Sequence, residues 1–581
     1  MAARPDAADS RLFRGVPTAF ALGTVVLGLV DVVSAVTPER AGRLKALTSV
    51  VPVAVAHAAS AATAATGLLL ILLGHGLRRR KRRAWRGAVA LLLLSTVLHV
   101  VKGLDAEEAG VTFAAAIALA LLSRQFYAAG DPRTRWRAPA TFAAMFAGSV
   151  VAGLGLIYAQ HAHLRGNPSF GARLSHVLWG LIGVGGSVHF TTPDAADFVS
   201  DVLLALGVVT AVIPVYLALR APEPRAVLTP DQEVRLRDLL CRQGGRDSLG
   251  YFALRRDKAV VFSDTGKAAV SYRVLSGVML ASGDPIGDPE AWPGAMHAFL
   301  DEARRHAWVP AVMGCGELGG ETWVREGGLR AIELGDEAVI DVADFTLEGR
   351  AMRNVRQMVG RVERAGYTTR VRRTRDITPA EITDIRRQAA AWRGAEVERG
   401  FSMALGRFGD PADGDCVAVT AYLDQRLCAV LHFVPWGTDG LSLELMRRDR
   451  EADAGLNELM IVAAIASAAE LGVCRLSLNF AVFRSALERG GRLGAGPVLR
   501  LWREILLIAS RWFQIESLYR FNAKFRPVWE PRFVCYPGAA DVPRVALAAL
   551  EAEAFLVWPS QWLALRRAAK GKPLATANRF R

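Results

Sequence analysis

The chain has 581 residues, long enough for two or more domains, and 52% of them are hydrophobic; 71 Lys and Arg against 56 Asp and Glu leave a net charge of +15. A mean hydropathy of +0.23 and an isoelectric point near 10.0 are too high for a wholly soluble, acidic chain, and they favour anionic partners such as a phospholipid surface or a nucleic acid. The six cysteines (Cys241, Cys315, Cys416, Cys428, Cys474 and Cys535) show no CxxC pairing. That spacing argues for free thiols and against a zinc or disulfide framework.

Residues 1–15 are polar and mildly basic and are read as a cytosolic tail; no cleavage site follows a short apolar core, so no removable signal peptide is expected. Apolar runs recur at 16–36, 51–74, 85–101, 110–128, 138–159 and 198–219. Most reach the ~20 residues a helix needs to span hydrocarbon, which predicts about six transmembrane helices within 16–220. A Gly-rich apolar piece at 177–188 is too short to cross and reads as re-entrant or interfacial. With the N-terminus inside, the basic run at 78–83 and Arg133, Arg135 and Arg137 fall on the cytoplasmic side. Asp105, Glu107 and Glu108 then fall outside, with Arg40, Arg43 and Lys45 as the exception, and the chain returns to the cytoplasm at Arg220. His99, His161, His163 and His189 sit mostly near loop edges, where ordinary interfacial histidines are expected, and the bundle is read as an anchor.

Ala-Pro-Glu-Pro at 221–224 is a short stiff linker, and Thr229-Pro230-Asp231 opens a helix. Strands are predicted at 251–254, 259–263, 268–274 and 278–281; helices at 290–306 and 351–365 alternate with strands at 309–313 and 338–342. After Thr378 the pattern repeats: a helix at 379–391, strands at 416–423, 426–434 and 441–446, a helix at 456–471 and a strand at 474–478. Two similar α/β halves in tandem, 221–375 and 376–545, fit this order, with a basic tail at 546–581. The stretch 350–367, RAMRNVRQMVGRVERAGY, places Arg350, Arg353, Arg361 and Arg364 in one narrow helical arc, opposite Met352, Val355, Val359 and Val362. Its basic face is open to solvent, anionic headgroups or nucleic-acid phosphates. In SGDPIGDP at 282–289, Asp284 is a candidate carboxylate within a tight turn. His432, the strand histidine of the second half, is a candidate general base, with a satisfied sheet histidine as the expected reading. No HExxH, P-loop or Rossmann glycine fingerprint occurs.

The segment 441–483 organises the rest: an alternating strand ends in a charge cluster, a polar turn through Gly455 leads into a helix at Asn457 and Glu458, and a second strand delivers Asn479. Its motifs ELMRRD, GLNELM and RLSLNFAVF, with KFRPVWEPRF at 524–533 and SGDPIGDP, resemble those of the aminoacyl-phosphatidylglycerol synthases, the lysylphosphatidylglycerol synthetases or multiple peptide resistance factors. The likeness runs from about 227 to 537 and is nearest to the actinobacterial branch that elsewhere carries a fused lysyl-tRNA synthetase, which this chain is expected to lack.

That resemblance implies a multi-helix transmembrane bundle followed by a cytosolic α/β domain of two tandem GNAT-like acyltransferase lobes, the second carrying the active site. It implies a multi-pass protein of the plasma membrane that transfers an aminoacyl group, lysyl foremost, from aminoacyl-tRNA to phosphatidylglycerol. The cationic product would confer resistance to cationic antimicrobial peptides. Neither cofactor nor metal is implied; the partners are Lys-tRNA, phosphatidylglycerol, the bilayer and a further copy in a homo-oligomer. Glu444 and Arg447 match the acidic residue and arginine of the family's Asp-Leu-Met-Arg motif, Glu444 to hold a lysyl ammonium and Arg447 a phosphate or oxyanion. Lys524 and Arg526 match its basic pair, expected to grip the lipid phosphate, and these four form the expected catalytic set. Asn457, Glu458, Asn479, Arg484 and Asp284 are expected to bind substrate, and Arg350, Arg353, Arg361 and Arg364 the tRNA. The family often carries Asp at the positions of Glu444 and Asn457, which leaves the amino acid open. The alternatives are a non-catalytic lipid- or tRNA-binding membrane protein, or an acyltransferase with another lipid or peptide acceptor.

Overall fold

The apolar runs of the first 220 residues fold as helices: α1 (Asp9–Val36), α2 (Val53–Arg78), α3 (Arg82–Gly103), α4 (Ala106–Leu121), α5 (Arg137–Ala159), a short α6 (Phe170–Gly180) and α7 (Pro193–Leu219). The computed structural model describes residues 9–36, 53–78, 80–103, 106–126, 137–219, 226–394, 400–482 and 515–556. The chain divides at Pro222 into two compact units. Within the helical unit, Pro17–Ser34, Arg82–Val100, Pro139–Ala159 and Pro193–Val215 are long and apolar enough to cross a membrane. Leu70, Leu73 and Leu77 of α2 pack with Ala84, Ala88 and Leu92 of α3 and Leu119 of α4, while Ile157, Val177 and Leu203 join α5 to α7. Helices α1 and α2 meet backbone to backbone, since a Cβ on either Gly28 or Gly67 would lie 2.5 Å from the other's carbonyl oxygen. Of the 177–188 piece, Val177–Gly180 close the 11-residue helix α6, too short to span a bilayer, and a turn follows.

The second unit begins with α8 (Pro230–Gln243), capped by Thr229, whose side chain accepts from Gln232 N while Gln232 returns a bond to the Thr229 N–H. The strand expected at 251–254 is instead a 3-10 turn, Gly250–Leu254. Asp247 imposes it by accepting from Leu249 N at 3.0 Å and, through its carbonyl, from Gly250 N at 3.0 Å. Phe252, Ala253 and Leu254 are buried all the same, so burial gave this run the apolar look of a strand.

One twelve-stranded sheet follows: β1 (Ala259–Phe262), β2 (Ala268–Leu275), β3 (Val278–Ser282), the two-residue β4 (Ile286–Gly287), β5 (Val309–Cys315), β6 (Arg330–Asp341), β7 (Thr368–Arg373), β8 (Val417–Leu423), β9 (Arg426–Trp436), β10 (Gly440–Arg448), β11 (Arg475–Val482) and β12 (Val528–Tyr536). Its order is β1-β2-β3-β5-β12-β6-β11-β10-β9-β8-β7. The tandem repeat is visible in the connections. An antiparallel meander β1-β2-β3 crosses through α9 (Trp292–His306) to β5, parallel to β3; β8-β9-β10 crosses through α13 (Leu456–Ala466) to β11, parallel to β10. Between them lie α10 (Glu317–Gly327), α11 (Arg353–Arg364) and α12 (Pro379–Arg393), and α14 (Ile515–Ala523) and α15 (Val542–Ala552) follow β11 and β12. The lobes also exchange strands: β12, late in the chain, lies between β5 and β6, while β6 lies against β11. This is the expected two-lobed acyltransferase-like architecture behind a set of apolar helices. Val355, Val359 and Val362 of α11 and Leu456, Leu459 and Met460 of α13 bury one face of the second lobe, at roughly 1.5–3 kcal/mol for each large side chain.

Candidate active site

The two lobes differ where their parallel strands end. β3 is paired with β5 along its whole length, from Val278 to Ser282. β10 pairs with β11 only from Gly440 to Ser442, against Arg475 to Ser477, although β10 runs on to Arg448 and β11 to Val482. Beyond Ser442 and Ser477 the strands part, and α13 starts at the same end, because a parallel crossover returns from the carboxyl end of its first strand. Buried polar atoms without hydrogen-bond partners occur on β9, β10, β11 and the first turn of α13: His432 Nε2, Ser442 Oγ, Asn479 Oδ1 and Asn457 Oδ1. Each of these atoms is available to a ligand that reaches it.

Glu444 stands at a β-bulge in β10, where the register with β9 slips between Leu443 and Leu445. Its side chain is 5% exposed. Oε1 accepts from Leu405 N at 2.9 Å and Gly406 N at 2.7 Å, and Oε2 bonds to His432 Nδ1. Burial alone would push this carboxyl up, but the His432 imidazole and the two backbone N–H groups hold it below the usual carboxylate range. Glu444 is therefore an anchor for His432, not the open carboxylate for an ammonium that the motif suggested. The ring donates Nδ1–H to the carboxylate, which leaves the buried Nε2 unpaired, and Phe408 packs edge-on at 4.7 Å to fix its plane. Arg407, beside the donating loop, is tied to Asp413 at 2.6 Å and Glu233 at 3.1 Å. His432 is thus bonded at Nδ1 and unpaired at Nε2, where a satisfied sheet histidine was the expected reading.

Lys524, just past α14, reaches Glu458 on the first turn of α13 at 2.7 Å, with the lysine side chain 35% exposed and the glutamate 6%. α14 is held to β11 through Asn522, whose amide donates to Leu478 O at 3.4 Å, and Asn479 Nδ2 in turn bonds to Leu443 O of β10. A continuous set of contacts thus joins Glu444's strand to Lys524 and Glu458. Arg447 is half-buried on β10, and Arg526 is exposed in the turn after α14 with φ +53°. Arg484 lies outside the described residues.

Asp284 belongs elsewhere. It follows β3, five strand positions from β10, or about 24 Å at ordinary strand spacing. Its carboxylate accepts from Gly316 N, the cap of α10, at 2.8 Å, and Gly319 must lack a Cβ, which would fall 2.0 Å from Oδ1. Burial and the neighbouring Asp247 carboxylate push Asp284 up to about 7. Beside it lies a buried network that the motifs did not single out: Arg532 of β12 binds Asp247 at 2.7 Å, Ser248 at 2.8 Å and Glu337 of β6, and Glu337 also takes Ser477 of β11. Arg532 stood within KFRPVWEPRF, and a charged Glu337 inside an apolar strand run was the available signal. The network ties the exchanged strands together.

Helix α11 is amphipathic as expected, with Val355, Val359 and Val362 buried and Arg353, Arg361 and Arg364 exposed; Arg350 is exposed just before it. Arg361 donates to Ala454 O at 2.8 Å and Arg364 to Gly360 O at 2.9 Å. Among the described residues no group of three or more His, Cys, Asp or Glu side chains could hold a metal ion.

Comparison with known proteins gives the family. The family described as phosphatidylglycerol lysyltransferase, C-terminal, matches residues 237–536. A lysylphosphatidylglycerol biosynthesis bifunctional protein LysX of Mycobacterium avium (strain 104) is 43% identical over 504 residues, covering 84% of this chain and 42% of that protein. Its counterpart in Mycobacterium tuberculosis (strain ATCC 25618 / H37Rv) is 43% identical over 512 residues, 84% of this chain and 43% of the relative. The chain therefore spans less than half the length of these relatives. Among solved structures, L-PGS from Bacillus licheniformis aligns at 20% identity and a TM-score of 0.49, over 58% of this chain and 99% of that one. A C-terminal DUF2156 domain from Agrobacterium fabrum aligns at 26% and 0.46, over 55% and 96%. With the family match covering just over half of its length, the chain belongs to the phosphatidylglycerol lysyltransferase C-terminal family.

Proposed function

We propose that the chain transfers a lysyl group from Lys-tRNA to a glycerol hydroxyl of phosphatidylglycerol, and that the opening between β10 and β11 is where the exchange occurs. The observation that carries this is the His432–Glu444 pair, a buried imidazole fixed at Nδ1 and unpaired at Nε2 beside the parted strands. The reaction is an ester exchange. Nε2 takes the proton of the glycerol hydroxyl as its oxygen attacks the lysyl ester carbonyl, and the tetrahedral intermediate collapses by breaking the bond to the ribose oxygen, which takes the proton back from His432. Arg447 stabilises the oxyanion, and Asn479 and Asn457 orient the acyl group with their unpaired amide oxygens. Glu458, whose Oε1 is held by Lys524, receives the lysyl ammonium at its other oxygen, while Lys524 and Arg526 face the lipid phosphate. The arginines of α11 meet the phosphates of the tRNA.

The family's description and the names of the LysX relatives support the lipid and the amino acid in this reading. The apolar helices carry the domain at the inner face of a membrane that they cross several times, where charged tRNA is present. The product replaces an anionic headgroup with a cationic one and lowers the attraction of cationic peptides to the cell. The test is incubation of membranes containing the full chain with radiolabelled Lys-tRNA or Ala-tRNA, followed by separation of the lipids. Lysine label in phosphatidylglycerol is expected; label that never enters lipid overturns the reading, and alanine label alone overturns the choice of amino acid.

A further inference from the structure

The loop that presents two N–H groups to Glu444 is itself held by the first lobe and by α15. Residues 400–410 form neither helix nor strand, so individual contacts fix their path. Phe401 and Ser402, near the start, are fully buried. Glu553, the C-cap of α15, receives them. Its Oε2 accepts from Phe401 N at 2.8 Å, and its Oε1 accepts from Ser402 N at 3.0 Å and Ser402 Oγ at 2.9 Å. A carboxylate at the C-terminal end of a helix opposes the helix dipole, so α15 by itself disfavours Glu553. Three donors offset that repulsion, and all three belong to the loop.

The first lobe grips the same end of the loop. The Arg255 guanidinium donates to Gly400 O and, at 3.2 Å, to Ala404 O. The Phe401 ring packs with Val545, Ala548 and Ala552 of α15. It also lies 4.5 Å from Lys258 Nζ, which donates to Ser282 Oγ of β3 at 2.6 Å. Only Met403 and Ala404 separate this clamp from Leu405 and Gly406, whose N–H groups hold Glu444 Oε1. Two residues give at most about 7 Å of chain, so a shift at Ser402 passes on to Leu405. Phe408, two residues past Gly406, carries the same path to the His432 ring.

We propose that Glu553 is a positioning residue for the transfer: by holding Phe401 and Ser402 it sets the loop that aligns Glu444 with His432. This role rests on His432 being the base of the proposed reaction. It gives the first lobe, whose own parallel strands stay paired, a share in the site of the second, since Arg255 and Lys258 complete the clamp. Glu553→Gln isolates the action of the carboxylate. The amide nitrogen must face either Phe401 N or Ser402 N, donor against donor, so at least one backbone N–H loses its acceptor while the side chain keeps its size.

The experiment measures lysyl transfer from Lys-tRNA in membranes carrying the full chain, its Glu553→Gln and Glu444→Gln variants, or the double variant. Glu553→Gln should lower kcat about ten- to a hundredfold, the scale of a misaligned catalytic group, and leave KM for both substrates within about twofold. Once Glu444→Gln has disabled the base, its alignment no longer matters, so the double variant should be no slower than Glu444→Gln alone. A purely structural role would slow both backgrounds by the same factor. If Glu553→Gln does not fold, Ser402→Ala takes its place; it deletes one of the three contacts and should give a smaller loss with the same non-additivity. A parent rate in the folded variant, a raised KM with kcat unchanged, or losses that multiply in the double variant overturn the inference and leave His432 as the base. A parent rate in Glu444→Gln overturns His432 as the base, and the role of Glu553 falls with it.

Discussion

Replacing Glu444 with Gln tests the His432 assignment without emptying the site. The amide oxygen can still accept from Leu405 and Gly406 N, at 2.9 and 2.7 Å in the parent, so the loop that carries them keeps its anchor. The amide nitrogen, however, donates to His432 Nδ1, where the carboxylate accepted from it. The ring must then carry its proton on Nε2, which changes from a base into a donor. Loss of a positioned base costs a factor of about 10²–10⁴, or about 3–5 kcal/mol of barrier. Stability should change less, by about 1–3 kcal/mol, because only charge-assisted bonds are weakened. The depressed Glu444 carboxyl stabilises the fold above its unfolded value of 4.5, and that contribution is lost as pH falls below it; the variant should lack this acid-side loss. Lysyl transfer in membranes and thermal unfolding measure the two effects separately. A folded Glu444→Gln protein with the parent's rate would refute His432 as the base.

Arg532→Met leaves Glu337, 0% exposed, and Asp247 without their cation, and should cost about 3–5 kcal/mol in denaturant unfolding; adding Glu337→Gln should restore part of it, and a cost below 1 kcal/mol would show that the network carries little. Asp284→Asn should flatten the pH dependence of stability: the folded carboxyl, raised to about 7, binds a proton that the unfolded chain releases near 3.8, so the parent loses stability as pH rises through that window and the variant should not. Arg353→Glu with Arg361→Glu should weaken Lys-tRNA binding and make its log–log salt slope shallower by roughly 1.5–2, whereas unchanged binding and slope would assign α11 to solvent or lipid.

Elements with a strong period were legible in the sequence. The apolar runs, the meanders and the crossover helices lie where alternation and helical spacing put them, and α11 turns its valines inward as its arc required. What escaped was long-range. Strand exchange leaves no local trace, because β12 lies against β5 and β6 through pairings at least 189 residues apart in sequence. The Arg532 network hid for the same reason: its members come from β6, β11, β12 and the Asp247 turn. Glu444 was found by its motif but given the wrong task, since nothing local revealed that Leu405, Gly406 and His432 would claim its oxygens. His99 was misjudged because distance from a loop was taken as a measure of burial, and only the packing of α1 on α3 shows otherwise.

The lobes differ in what bridges the ends of their parallel strands. In the first lobe Gly283 N, just past β3, donates to Met313 O at 3.0 Å, so the backbone ladder continues and the parallel strands stay shut. In the second lobe the backbone pairing has ended at Ser442 and Ser477, and the bridge beyond it runs the other way, from the Asn479 side chain of β11 to Leu443 O of β10. Asn479 also adopts φ +68°, a left-handed conformation that asparagine tolerates better than most residues, and this turns β11 away from β10. A side-chain amide standing in for a backbone N–H lets the sheet open without stranding a buried carbonyl, which would otherwise oppose the opening. The bulge at Glu444 is the matching adjustment on the other strand, and it aims the carboxylate at His432. Opening the sheet and pairing Glu444 with His432 thus go with one local distortion, and it lies in the second lobe, which has the same strand order as the first.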